Sequence, residues 1–390
     1  MTRHSIVRSL DPRADTDHDT RKGRPDVTMT RKRKYCGQNS GRVIEEVVLG
    51  VDTHLDAHVA VALDGLGRRL GELTVPTTKK GYENLLCWAK GFSQVRCAGV
   101  EGTSSYGVGL ARHLRSSGVE VFEVERPKRR HLRRKGKSDS RDAESAARAV
   151  LAGESTGKAK SADGHVEMIR VLRAARRSAV KARTQVANQL RGIRVTTPEA
   201  LQQRLRGLST KKLVAVAAHF RPGGDPDTVE EAARFALRSM ARRYQALSEE
   251  IAELDAQLHR LVAQVAPELI SLPAIGTDHA ATLLVVAGDN PERLKNEASF
   301  ASLCGVSPVE ASSGKVVRHR LNRGGNRDAN RALHLICVVR MRVDERTRRY
   351  AAKRTSEGKS KREIIRCLKR YVAREVYRVL VPRAAPSIYQ

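Results

Sequence analysis

"EEVVLGVDTHLDAHVAVALDGLGRRLGELTVPT", residues 45–77, decides the fold. Two short apolar runs, 45–52 and 57–64, follow each other closely. "GLG" then turns the chain into a third strand-like piece, "RRLGELTVPT". Three short strands joined by tight turns read as an antiparallel meander. Downstream the pattern changes. "TKKGYENLLCWAKG" has helical spacing, "QVRCAGVE" is a strand, "GTSSYGVGLARHLRSSG" a loop and a helix, and "VEVFEVE" another strand. A basic stretch, 126–137, runs into a helix from 138. The order β-β-β-α-β-α-β-α predicts a ribonuclease-H-like α/β domain, a meander followed by parallel strands with crossover helices.

Charged residues close the apolar strands of this unit. The first strand ends on Asp52 and the fourth on Glu101. In "GKSDSRDAESAARAV", 136–150, Asp139 and Asp142 are spaced i, i+3 and share a helix face. Taken alone, that pair fits helix capping, with Ser138 or Asp139 as the N-cap and acid in the first turn. Set beside Asp52 and Glu101, it fits a metal site, because the fold gathers all four at one sheet edge. Clustered carboxylates repel and call for cations, and oxygen-only ligands suit Mg²⁺ or Mn²⁺. Two such ions about 3.5–4 Å apart stabilise attacking and leaving oxygens in phosphodiester chemistry.

The composition points the same way. Lys and Arg number 73 against 43 Asp and Glu in 390 residues, a net charge of +30, which calls for a polyanionic partner. Aromatics are only 4%, which argues against a base-stacking sheet of the RRM kind. Cys36, Cys87, Cys97, Cys304, Cys337 and Cys367 form no CxxC pair, and no HExxH occurs. Structural zinc and a disulfide framework are not expected, which suits a reducing cytoplasm. Neither a membrane span nor a signal peptide is expected.

Four regions emerge. Residues 1–43 read as a disordered basic arm, with Met29 as an alternative start. Residues 44–155 form the α/β unit, ending in a linker over 151–165. Residues 156–268 are helical and coiled-coil-like. Within 228–265, Leu247, Ile251, Leu254, Leu258 and Leu261 make a heptad-like seam, for a neighbouring helix or for a partner chain. Residues 269–380 are mainly α. There "LPAIGTDHAATLL" resembles a helix-hairpin-helix element, although taken alone it fits an ordinary helix turn better. "ASSGKVVRHRLNRGGNRDANR", 311–331, is rich in Gly, Ser and Arg.

The pieces "GVDTHLDAHVAVALD", "GVEGTSSYGVGLARHLRSSGVEVFEVERPKRR", "KGKSDSRDAESAARAVLAG", "SLPAIGTDHAATLLVVAGD" and "FASLCGVSPVEASSGKVVRHRLNRGGNRDANRALH" agree in kind and order with one family. The chain resembles the insertion-sequence transposases that carry a DEDD, RuvC-type domain and a second transposase domain with a serine, also called bridge-RNA-guided serine recombinases. The resemblance covers most of 46–155 and 269–375. It implies that Asp52, Glu101, Asp139 and Asp142 bind the metals. It also implies a nucleophilic serine, Ser313 with Ser312 as second choice, in a loop that would otherwise read as a plain Ser/Gly turn.

The further implications are double-stranded DNA as substrate, a guide (bridge) RNA, and a homodimer or homotetramer with a composite site. The expected location is the cytoplasm, on the nucleoid. The basic stretches 126–137, 166–194 and 318–331 fit phosphate contact, with Arg318, Arg320, Arg323 and Arg327 beside the serine. Two other readings use the same residues: a hydrolytic nuclease of the junction-resolvase type, and an inert nucleic-acid binder. A sugar-kinase or actin-like ATPase would need glycine-rich phosphate loops, and no later DxGG follows Asp52.

Overall fold

The computed structural model describes residues 45–124, 138–221, 223, 226–314 and 319–381. The expected basic arm, the basic stretch 126–137 and Arg318 lie outside them. The described residues belong to one compact unit.

The apolar runs form β1 (Glu46–Thr53), β2 (Ala57–Asp64) and β3 (Arg69–Pro76). These pair antiparallel, as the meander reading requires. β4 (Gln94–Glu101) and β5 (Glu120–Val124) add in parallel, giving a five-stranded sheet in the order β3-β2-β1-β4-β5. Between them run α1 (Lys79–Lys90) and α2 (Val108–Ser116). Then comes α3 (Asp139–Leu151).

Strand alternation divides the side chains between two layers. Val47, Leu49, Val51, Ala98 and Val100 pack with Leu85, Leu110 and Leu114 of α1 and α2. Val48, Val61 and Cys97 pack with Ala143, Ala146, Ala147 and Val150 of α3. Burial on both faces explains why β1 reads as a continuous apolar run rather than an alternating one.

α3 lies unusually close to the sheet. A Cβ on Gly50 would fall 1.9 Å from the Ala143 carbonyl oxygen and 2.4 Å from the Ala147 nitrogen. One on Gly99 would fall 2.7 Å from the Ala146 carbonyl oxygen. Gly50 and Gly99 are register partners across β1 and β4. Glycine weakens a strand interior, so its presence there marks close backbone approach. The small-residue face of "DAESAARAV" is the complementary surface.

The segment expected as a linker is tied to the sheet. Glu123 donates its N–H to the Gly157 carbonyl at 2.8 Å, and Ala159 donates to Val121 at 2.9 Å. The remaining described residues are mostly helical. α4 (His165–Thr196) and α7 (Val229–Val265) are long and pack on each other. Ile169 meets Leu258, Leu261 and Val262 in one cluster, and Val186 and Leu190 meet Leu237 and Ala241 in another. The heptad-like seam therefore has a partner within the chain. α5 (Glu199–Leu205) and α6 (Thr210–Ala218) cover the second cluster.

After α8 (Pro267–Ser271), α9 (Thr277–Ala287) is buried along most of its length. In the helix-hairpin-helix-like stretch, Asp278 at the start of α9 is ion-paired with Arg173 at 3.4 Å and Arg176 at 3.7 Å. α10 (Glu297–Leu303) precedes a short hairpin, β6 (Val309–Glu310) and β7 (His319–Arg320). α11 (Arg327–Val343), α12 (Glu345–Ser356) and α13 (Lys361–Leu380) complete the fold.

Asp289 and Asn290, in the turn after α9, join the two halves. Asp289 accepts from the N–H groups of Val166 at 2.7 Å and Glu167 at 3.2 Å, so it caps α4 from a distant part of the chain. Asn290 accepts from Ser161 and donates to the Ala159 carbonyl at 3.1 Å, holding the connection against the helices.

Candidate metal centre

Alternation sends Gly50 and Asp52 to the same side of β1, and Gly99 and Glu101 to the same side of β4. That side faces α3. Ala143 rests on Gly50, and Asp139 lies one helical turn before Ala143 on the same face. Asp52 lies two residues beyond Gly50 along the strand. The close approach of helix and sheet thus brings the first turn of α3 over the strand ends. Of the four sequence-predicted carboxylates, Glu101, Asp139 and Asp142 all act electrostatically on Asp52, and Asp139 shares with it a ligand-distance group that includes neither Glu101 nor Asp142.

Local contacts fix this edge. Ser138 is the N-cap of α3, and its side chain accepts from the Arg141 N–H. Capping therefore falls to Ser138, which leaves Asp139 and Asp142 as side chains of the first turn. Ser140 donates to Glu72 on β3 at 2.8 Å and accepts from Arg69 at 2.9 Å. Arg69 also reaches Glu144 at 3.5 Å, so β3 grips the start of α3. Thr53, buried just after Asp52, donates its hydroxyl to the Glu101 carbonyl at 2.8 Å and locks the two strand ends together. Gly102 then takes φ +66°, a conformation that favours glycine, and turns the chain away behind Glu101.

His54 was not among the expected ligands. Its Nε2 lies 3.2 Å from Asp52 Oδ2 and 3.4 Å from Asp139 Oδ2. Asp52, His54 and Asp139 can each point one ligand atom into a space where those atoms lie within 4.8 Å of one another. In the sequence, His54 is only the second residue of a turn after a strand. No motif marks it, because its partner Asp139 comes from a helix far along the chain.

Asp52 is 6% exposed. Burial pushes its carboxyl above the usual range; His54 offsets this, while Glu101, Asp139 and Asp142 add to the rise. A buried carboxylate facing three others is an electrostatic deficit that a cation would relieve. Carboxylate oxygens with one imidazole form a donor set suited to a divalent cation.

Ser313 sits elsewhere. It is exposed in the loop between β6 and β7, next to Gly314 at φ +57° and beside the equally exposed Ser312. Its hairpin is a separate two-stranded sheet, not part of the five-stranded one. The roots of that hairpin are fixed by glycine-to-glycine packing. A Cβ on Gly325 would fall 2.5 Å from the Gly305 nitrogen, and Asn330 donates to the Cys304 and Gly305 carbonyls at 3.1 and 2.8 Å. Arg320, Arg323 and Arg327, which follow it in sequence, are exposed. The Arg-rich α4 is less available than its sequence suggests. Arg170, Arg173, Arg176 and Arg177 are ion-paired with Glu167, Asp278, Asp255 and Asp328.

Two family models match the chain. Residues 49–195, which include all four carboxylates and His54, match DEDD_Tnp_IS110, described as a transposase. Residues 266–352, which include Ser313, match the Transposase IS116/IS110/IS902 family. A curated relative, the "Insertion element IS110 uncharacterized 43.6 kDa protein" of Streptomyces coelicolor, is 34% identical over 125 residues, or 31% of either chain. The chain therefore spans about a third of the length of that relative. With both models matching in order across most of the α/β and C-terminal regions, the chain belongs to the IS110 family of transposases.

Proposed function

We propose that this chain cuts and rejoins the DNA of an insertion element, through a carboxylate-held Mg²⁺ or Mn²⁺ site and a serine nucleophile. The observation that carries the reading is the grouping of Asp52, His54 and Asp139, with Glu101 and Asp142 acting electrostatically on Asp52, at one edge of a sheet with ribonuclease-H-like strand order, in a chain of transposase family. We assign 44–155 as the catalytic α/β domain, 156–268 as the helical spacer and 269–380 as the serine-bearing domain.

Asp52, Glu101, Asp139 and Asp142 hold the metal, and His54 completes the set. A divalent cation bound there polarises phosphoryl oxygens and lowers the pKa of an attacking hydroxyl. Ser313 is the attacking group, with Ser312 as the alternative. Its Oγ bonds to phosphorus and loses its proton, and the phosphorus–oxygen bond to one deoxyribose breaks as that oxygen takes up a proton. The phosphoserine diester keeps the linkage energy in a covalent bond. A second deoxyribose hydroxyl then attacks it and expels the serine, so strands are exchanged without hydrolysis.

Ser313 is carried by a hairpin outside the sheet, which favours a site composed from two regions or two subunits of a homodimer or homotetramer. Exposed Arg320, Arg323 and Arg327 supply phosphate contacts beside it. The selection of DNA sites is assigned to a guide RNA encoded beside the gene.

The test is recombination between donor and target plasmids in cells carrying the gene with its native flanks, with sequencing of the RNA that purifies with the protein. Junction products that vanish in both Asp139→Asn and Ser313→Ala, together with one defined flank transcript, support the reading. Cleavage that survives Ser313→Ala points to a hydrolytic nuclease instead.

A further inference from the structure

At the root of the β6–β7 hairpin lies a cavity of about 810 Å³, bounded by that hairpin, α12 and α13. Its size falls within the roughly 300–1,000 Å³ of small-molecule sites. Seven Lys and Arg side chains line it, against one carboxylate, Glu363; four of the seven, Arg354, Arg366, Arg370 and Arg374, are ion-paired with Glu357, Glu363 or Glu297. This imbalance is not confined to the rim. Lys369 is 9% exposed, and its ammonium donates to the neutral Asn330 Oδ1 at 2.9 Å. Among the described residues no carboxylate pairs with it. Arg370 gives one nitrogen to Glu297 at 2.9 Å, but its buried Nη1 has no acceptor. A buried cation without an anion, as Lys369 is, is unfavourable unless an anion is supplied from outside.

The same cavity has an aromatic wall. Tyr350 and Tyr371 line it and meet edge to face at 5.5 Å between ring centroids. Tyr371 remains 47% exposed, and the Arg374 guanidinium stands 5.9 Å from its ring centre. Cations beside an exposed tyrosine ring form the combination that holds an unstacked base and its phosphate. A base inside a duplex has no free face to offer.

We propose that this cavity binds one unpaired nucleotide of a nucleic-acid strand, with its phosphate on Lys369 and Arg370 and its base against Tyr371. Lys369 also holds Asn330, which in turn holds the Cys304–Gly305 turn at the base of the serine hairpin. Occupancy of the cavity would therefore steady the hairpin that carries Ser313. The proposal rests on nucleic acid being the substrate, and not on the carboxylate site or on Ser313. Two sources share the required chemistry, a displaced DNA strand and an RNA loop.

The test is fluorescence anisotropy of the full chain in EDTA, with labelled oligo(dT), oligo(U) and a blunt DNA duplex at several salt concentrations. Tyr371→Leu should weaken single-strand binding about ten-fold and leave duplex binding unchanged, and Tyr371→Phe should restore it. Lys369→Met should also weaken it and lower the salt slope by about one counterion. Lys369 is buried, so the exposed Tyr371 pair of variants stands as an independent test if that protein fails to fold. Stronger binding of oligo(dT) assigns the cavity to the DNA strand, and stronger binding of oligo(U) to RNA. Equal loss on single strands and duplex in Tyr371→Leu, or no loss on either, would overturn the proposal. Because the titrations are run in EDTA, without the cation that the carboxylate site needs, failure here is distinct from failure of the metal-site reading.

Discussion

Gly50 on β1 and Ala143 on α3 are in direct backbone contact, so close that any Cβ on Gly50 would stand 1.9 Å from the Ala143 carbonyl oxygen. This contact sets the height of α3 above the sheet, and with it the position of Asp139 and Asp142 over Asp52. Gly50→Ala must lift or tilt the helix. Overpacking of this kind costs about 1–3 kcal/mol. The expected result is a lowered melting temperature together with loss of the Mn²⁺-dependent thermal shift, although no ligand has been altered. Scanning calorimetry with and without Mn²⁺ checks it.

Asp52 carries a second, opposite expectation. Its carboxyl is held above the usual range, first by burial and then by its acidic neighbours, with His54 partly offsetting them. The metal-free fold therefore favours the neutral acid. Ionising Asp52 as pH rises through that raised range opposes folding, and the opposition disappears on acidification. Asp52→Asn should make the metal-free protein more stable near neutral pH and less dependent on pH, while abolishing the stabilisation by Mn²⁺. Thermal melts across pH, with EDTA and with Mn²⁺, read both effects.

His54 brings a nitrogen donor into an otherwise oxygen-based set, 3.2 Å from Asp52 and 3.4 Å from Asp139. Mg²⁺ is a hard cation that demands oxygen ligands in near-ideal octahedral geometry, so a nitrogen donor contributes less to it than to Mn²⁺. His54→Ala should lower Mn²⁺ affinity more than Mg²⁺ affinity, as measured by titration calorimetry and by the electron paramagnetic resonance of bound Mn²⁺. Equal losses for the two ions would remove His54 from the coordination set.

Asp289 caps α4 through two backbone N–H groups. Asp289→Ala should cost about 0.5–2 kcal/mol, the usual range for a lost N-cap. Since the connection from the sheet enters α4 at this point, protease cleavage should increase near residues 154–164. Denaturant melts and limited proteolysis give the two readings.

The meander, the crossover strands and the terminal carboxylates were legible because each is a local pattern. Apolar runs, tight-turn glycines and an acid at a strand end are all visible within a few residues. The role of Gly50 and Gly99 was not, since a glycine inside a strand becomes meaningful only against the helix that covers it. His54 was missed for the same reason, as its partner Asp139 lies on a different element. The basic character of α4 was plain, but composition cannot show that Arg173, Arg176 and Arg177 are engaged by Asp278, Asp255 and Asp328. The seam from Leu247 to Leu261 fitted a partner chain as well as a neighbour until α4 was seen against it. The connection over 151–165 was legible as a loop, but its hydrogen bonds to β5 and its clamp by Asn290 depend on residues far away in sequence.

The most direct measurement is to incubate the protein with Mn²⁺ and end-labelled DNA from the element's terminus, denature it, and map any covalent protein–DNA adduct by mass spectrometry. The account predicts a phosphoserine ester at Ser313 that is absent in Ser313→Ala and in Asp52→Asn. Cleaved DNA with no adduct, undiminished in Ser313→Ala, would contradict it.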